Sequence, residues 1–145
     1  MTTTTNDMND FNAGVIEEFR ANGGTAGGIF DGKPLLLLHN VGARSGTDFV
    51  TPLVYLDDGD NWAIFASKGG APNNPGWYHN LKAQPAVTIE VGGDTVDVTA
   101  EEVTGDERDR LYSIQEEQQP QFADYQRKTD RKIPVILLRP RGQVI

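Results

Sequence analysis

The run Leu35-Leu36-Leu37-Leu38 leaves this chain few options. A strand with one wet face alternates apolar and polar residues, and this one does not. Pro34–Val41 therefore reads as a strand buried on both faces. The turn Gly42-Ala43-Arg44-Ser45-Gly46-Thr47 leads to a second strand, Phe49–Leu56. Asp57-Asp58-Gly59-Asp60 then turns into a third, Trp62–Ala66. These links are too short for a crossover helix, so the spacing predicts an antiparallel meander. Ala86–Val91 and Thr95–Glu101 form a hairpin at Gly92-Gly93, with Asp97 and Thr99 marking a wet face. Ile133–Leu138 is the last apolar strand.

Helical patterns fall between the strands. Val15, Ile16 and Phe19 form one stripe over Asn12–Asn22. Asn74-Pro75 is a start signal for a helix reaching about Lys82. Thr104 with Glu107 predicts a capping box for a helix to Gln118. Pro120 opens a further helix through Lys128. Met1–Asp10 is too polar to offset its ordering entropy and reads as disordered. The fold class is mainly β with α inserts: one domain over residues 11–145, built as a small, partly open antiparallel barrel with a groove under its inserted helices.

The chain has 145 residues, enough for one domain with a core of its own. It has no cysteine, which removes disulfides, cysteine nucleophiles and thiolate metal sites, and suits a reducing compartment. His39 and His79 are its only histidines, so no metal site is expected. Thirteen basic against 21 acidic residues give a net charge of -8, a repulsive average field for nucleic acid. No stretch is apolar enough for a transmembrane segment. Cytoplasmic residence is the default, with a peripheral membrane position left open. Monomer and homodimer both remain open.

Against that acidity, basic residues recur in three segments. Gly42–Thr47 carries Arg44, Ser67–Ala71 carries Lys68, and Arg127–Lys132 is a basic cluster. Glycines in the first two let backbone N–H groups converge on an oxyanion. The plainer alternative is a pair of turns with solvated cations. No Walker loop and no GxGxxG is present. Trp77 and Leu81 share a helix face that suits the core, with one Trp77 edge free to wall a groove. Phe122 and Tyr125 lie one turn apart, suiting either a core or the face of a planar ligand.

Taken in order, Gly42–Gly46, Thr51–Leu53, Ala66–Ala71, Asn74–Lys82 and Tyr125–Val135 make the chain similar to the deazaflavin-dependent nitroreductase family. The resemblance spans roughly Phe11 to Pro140. It implies a split β-barrel of FMN-binding type and the cofactor coenzyme F420. It also implies hydride transfer to a small conjugated electrophile: a quinone, an enone or a nitro compound. By position it assigns the cofactor's phosphate and tail to Arg44, Ser45, Gly46 and Lys68. Pro52 and Leu53 fall beside the ring, with Ser67, Gly69 and Gly70 approaching it, and Trp77 and Lys82 bordering the groove. Tyr125 and Ser67 take the catalytic positions, Tyr125 as a donor to the substrate. Phe122 and Tyr125 cover the substrate side. The chain departs from the family at Ala43 and Phe49, where relatives commonly carry basic residues. The alternatives are a non-catalytic F420-binding protein and an FMN-dependent reductase.

Overall fold

A computed structural model describes residues 4–141, with side chains described from Phe11 onward, Ile29 excepted. The helices are α1 (Thr4–Ala21), α2 (Gly76–Ala83), α3 (Gly105–Gln118) and α4 (Gln121–Arg127). The strands are β1 (Leu35–Val41), β2 (Asp48–Val54), β3 (Leu56–Asp58), β4 (Asn61–Phe65), β5 (Ala86–Val91), β6 (Asp94–Val103) and β7 (Val135–Pro140). They make one seven-stranded sheet in the order β2-β1-β5-β6-β7-β4-β3, and every pairing is antiparallel.

The first hairpin forms as expected, with Leu37 opposite Pro52 and Asn40 opposite Phe49. The meander does not continue. β2 and β3 lie at opposite ends of the strand order, yet only Tyr55 separates them in the chain. The sheet is therefore curled until its two edges share one segment. Tyr55 marks the corner, where its N–H donates to Pro34 O at 3.1 Å. The single strand expected over Phe49–Leu56 is two short strands for this reason. β4 takes β7 as its second partner, because Val135–Leu138 offers it an apolar neighbour buried on both faces.

Side chains sort by the period of two along each strand. Leu36, Leu38, Ile64, Ile89, Ile136 and Leu138 meet Trp77 and Leu81 of α2 in the concave core. On the opposite face Leu35 and Leu37 pack against Val15 and Phe19 of α1. Ala63, Phe65, Val135 and Leu137 pack under Leu111, Tyr112 and Phe122 of α3 and α4. The leucine run is thus buried on both faces, against different helices.

Three expectations need correcting. Helix α1 begins at Thr4, within the segment read as disordered and ahead of the expected start at Asn12; extending a formed helix is cheap. Residues 1–3 lie outside the described residues. Asn74 does not cap α2, because its Oδ1 accepts from Arg131 Nη1 at 2.7 Å. Thr104 makes no side-chain cap on α3, and Glu107 pairs with Arg110 at 3.0 Å.

Glu90 on β5 ties α1 to the sheet. Arg20, in the last turn of α1, donates to it from two nitrogens at 3.0 and 2.6 Å, and His39 Nε2 on β1 lies 2.6 Å away. The Arg20 bond holds the Glu90 carboxyl at about 2, against the opposing pull of burial, and His39 adds a second bond. A depressed carboxyl stabilises the fold fully above its ordinary range and loses that contribution as pH falls through the folded value. Glu90→Gln is expected to melt below the wild type at neutral pH. The gap should close between the ordinary value of 4.5 and about 2, measured as melting temperature against pH. A gap independent of pH would contradict the staple.

Candidate functional site

The turn between β1 and β2 is built by short-range bonds. Gly42 donates to Thr47 O at 2.8 Å and accepts from the Gly46 N–H at 3.0 Å. Ser45 Oγ accepts the Thr47 N–H at 3.1 Å. Space at Gly42 is tight: a Cβ there would stand 2.5 Å from Ser45 Oγ and 3.2 Å from the Phe49 ring, so either side chain would have to shift. The N–H groups of Arg44 and Ser45 have no protein acceptor among the described residues.

Helix α2 faces this turn. Asn80 Oδ1 accepts the Ala43 N–H at 2.9 Å, and Asn80 Nδ2 donates to Asn40 Oδ1 at 2.8 Å. Asn40 Nδ2 in turn donates to Leu38 O at 3.2 Å and Thr51 Oγ1 at 3.3 Å. Between the turn and α2 lies a groove of about 610 Å³. Asn40, Thr51, Trp77, His79 and Asn80 line it together with Phe49 and the turn residues Gly42–Ser45. Trp77 also belongs to the concave core, so one edge of the ring is anchored while another walls the groove. Phe49 is 46% exposed, an apolar ring left partly open at the rim.

The groove's lining holds no carboxylate, although the chain carries a net charge of -8. Arg44 has no acidic partner among the described residues, so its charge is uncompensated there. A cavity of this size, with aromatic walls, unpaired donors and one free cation, fits a planar ligand bearing an anionic end.

Arg44, Ser45 and Trp77 are the sequence-predicted residues that this groove brings together. The others lie elsewhere. Gly46 completes the turn at φ 73° without lining the groove. Pro52 is buried opposite Leu37, and Leu53 packs on the concave core. Lys82 is not a groove cation: its Nζ pairs with Glu102 at 2.9 Å. The Tyr78 hydroxyl donates to the same carboxylate at 2.7 Å, and burial together with that bond pushes its pKa up to about 12. Phe122 is a core residue, packed edge-on to Phe65 and Tyr112.

Ser67, Lys68, Gly69 and Gly70 form a separate loop, clamped by Arg131. Its guanidinium donates to Ala66 O, Ser67 O and Ala71 O at 3.0, 2.8 and 3.0 Å. Gly70, at φ 85°, lies so close to α4 that a Cβ would stand 2.7 Å from Tyr125 O. Lys68 Nζ donates to Asn73 Oδ1 at 3.3 Å. The basic cluster is therefore dispersed: Arg131 is structural, Arg127 pairs with Asp124, and Lys132 pairs with Asp109 at 3.2 Å.

Sequence reasoning gave no role to Asn40, Thr51 or Asn80. The available signal was an amide two positions past the leucine run, Leu38-His39-Asn40, on the same strand face as Leu36 and Leu38, where a buried polar group needs partners.

The F420H(2)-dependent quinone reductase family matches residues 14–140. An F420H(2)-dependent quinone reductase of Mycobacterium tuberculosis is 44% identical over 127 residues, covering 85% of each chain. The solved structure of an F420-H2 dependent reductase superposes with a TM-score of 0.67 at 40% identity, covering 72% of this chain and 93% of its own. A second solved chain, described as a domain-swapped dimer, gives 0.69 at 36% identity, covering 93% and 99%. The matched span contains the whole groove, from Asn40 to Asn80. The chain belongs to the F420H(2)-dependent quinone reductase family and is thereby an F420-dependent reductase.

Proposed function

We propose that the groove between the Gly42–Thr47 turn and α2 seats coenzyme F420 for reduction of a quinone. The observation that carries this is the uncompensated Arg44 in an acid-free groove of an acidic protein. Arg44, with its own N–H and that of Ser45, holds the cofactor's anionic end through charge-assisted bonds. Trp77 and Phe49 provide the apolar faces for a planar ring, and the concave core behind Trp77 excludes water from that side. The curled sheet, with both edges joined at Tyr55, supports reading the architecture as a split barrel of FMN-binding type.

When bound in reduced form, F420 supplies the hydride, so no side chain is required as a nucleophile. The protein's part is to orient the acceptor and stabilise the charge that develops on its oxygen. The hydroxyls of Tyr125 and Ser67 have no protein partner among the described residues, which leaves both free to donate to that oxygen. Gly70 allows the close approach of the Ser67–Gly70 loop to α4 beside Tyr125, and Gly69 supplies the turn's φ of 64°; both leave the loop's backbone open to the ring. Lys68 lies outside the groove lining, so its proposed part is with the tail beyond it. The family's description favours a quinone over a nitro compound or an enone as the acceptor.

Fluorescence titration with F420 and with FMN tests the seat. F420 is expected to bind more tightly than FMN, and Arg44→Ala to weaken it roughly ten- to a hundredfold, the worth of a bond to a charged group. A neutral deazaflavin fragment without the tail should lose much less. Equal losses for F420 and the fragment would remove Arg44 from tail recognition, and FMN binding without F420 binding would overturn the seat.

Anaerobic oxidation of reduced F420 over quinones, enones and nitroaromatics tests the reaction. Quinones are expected to turn over fastest. Tyr125→Phe combined with Ser67→Ala should lower kcat at least tenfold. Tight F420 binding with no turnover of any acceptor would make the chain a cofactor carrier instead.

A further inference from the structure

The amide pair Asn40–Asn80 is a bridge between the interior of the sheet and the anion-binding turn. Asn40 is 3% exposed and is the sixth residue of β1, a strand that opens with four leucines. A buried amide in such surroundings is costly unless its polar atoms are paired. Here they are paired in a directed chain. Thr51 on β2 accepts from Asn40, Asn40 accepts from Asn80 on α2, and Asn80 accepts from the Ala43 N–H in the turn. β1, β2, α2 and the turn are thus connected by three bonds of 3.3, 2.8 and 2.9 Å. With the Ala43 N–H engaged, the next two N–H groups, of Arg44 and Ser45, are the ones left without protein acceptors. The relay selects which donors the turn presents.

We infer that Asn40 and Asn80 are positioning residues that set the anion affinity of the Gly42–Thr47 turn. The inference rests on the reading that this groove seats F420. It assigns the pair no part in hydride transfer. Asn40 is too enclosed to be the main contact of a ligand; it acts through Asn80. The alternative role for a buried amide is to fix strand register, which predicts lost stability without selectivity between the two substrates.

The test uses Asn80→Ala, Asn40→Leu and the double variant in steady-state kinetics, with F420 and quinone varied separately. Each single variant is expected to raise the KM for reduced F420 about tenfold. The quinone KM, and kcat at saturating F420, should stay within about twofold. Because the residues act in series, the double variant should be no worse than the weaker-binding single one. Amide hydrogen exchange in the free protein supplies a second readout. The Ala43 amide, protected in the wild type, should exchange at least tenfold faster in Asn80→Ala. That variant replaces a half-exposed helix residue with the best helix former, so it carries the test even where Asn40→Leu does not fold. Penalties that add, equal rises in both KM values, or wild-type exchange at Ala43 in Asn80→Ala would each overturn the relay. Wild-type protein that does not bind F420 would instead overturn the functional reading on which it rests.

Discussion

Burial of β1 on both faces organises this molecule. Leu36 and Leu38 enter the concave core, while Leu35 and Leu37 lie under α1. Each such side chain contributes roughly 1.5–3 kcal/mol when it leaves water. The strand therefore has no freedom to slip, since a shift of one residue would exchange its faces. Its end is fixed for the same reason, and the turn that leaves it at Gly42 starts from an immobile point. Helix α2 is anchored independently, through Trp77 and Leu81 in the concave core and through Tyr78 and Lys82 on Glu102. Two rigid elements thus define a groove whose polar walls come from the turn, the two asparagines, Thr51 and His79.

Charge is distributed to the same end. Most basic side chains are occupied: Arg20 by Glu90, Lys82 by Glu102, Arg110 by Asp58 and Glu107, and Arg131 by backbone carbonyls. Burial also lowers the pKa of Arg131, yet three carbonyls and one amide satisfy its donors. Arg44 is left with no such partner among the described residues, and no carboxylate shares its groove. An acidic surface repels anions at long range, but that field is screened beyond about 8–10 Å in physiological salt. Inside the groove the local cation and N–H dipoles dominate.

Much of this was legible in the sequence, and the exceptions have physical causes. The leucine strand, the Gly92-Gly93 hairpin and the helices after Pro75 and Pro120 announced themselves through local chemistry. The course of Phe49–Leu56 did not, because the corner at Tyr55 exists only once the sheet has curled and brought its edges together. The helix-start signals at Asn74 and Thr104 failed as side-chain caps. Asn74 serves Arg131, a partner remote in sequence, while Glu107 turns to Arg110 on its own helix. At the site, Gly42–Ser45 was readable as a tight turn carrying Arg44, and Trp77 as a half-core, half-wall residue. Lys82 was misread because its carboxylate partner lies on β6. For Phe122 the sequence left core and ligand face open, because the aromatic neighbours that hold it in the core, Phe65 and Tyr112, come from β4 and α3. Asn40 lies in no motif, and Asn80 lies in the Asn74–Lys82 segment without a role of its own there: their meaning is a bond between a strand and a helix forty positions apart.

The central claim is a location and a direction: the cofactor lies between the Gly42–Thr47 turn and α2, with its anionic end at Arg44. A crystal structure with F420 bound tests this most directly. The planar ring is expected against Trp77 and Phe49, and the phosphate within hydrogen-bonding distance of Arg44 and the Ser45 N–H. F420 bound on any other face, or bound here with its phosphate remote from Arg44, would contradict it.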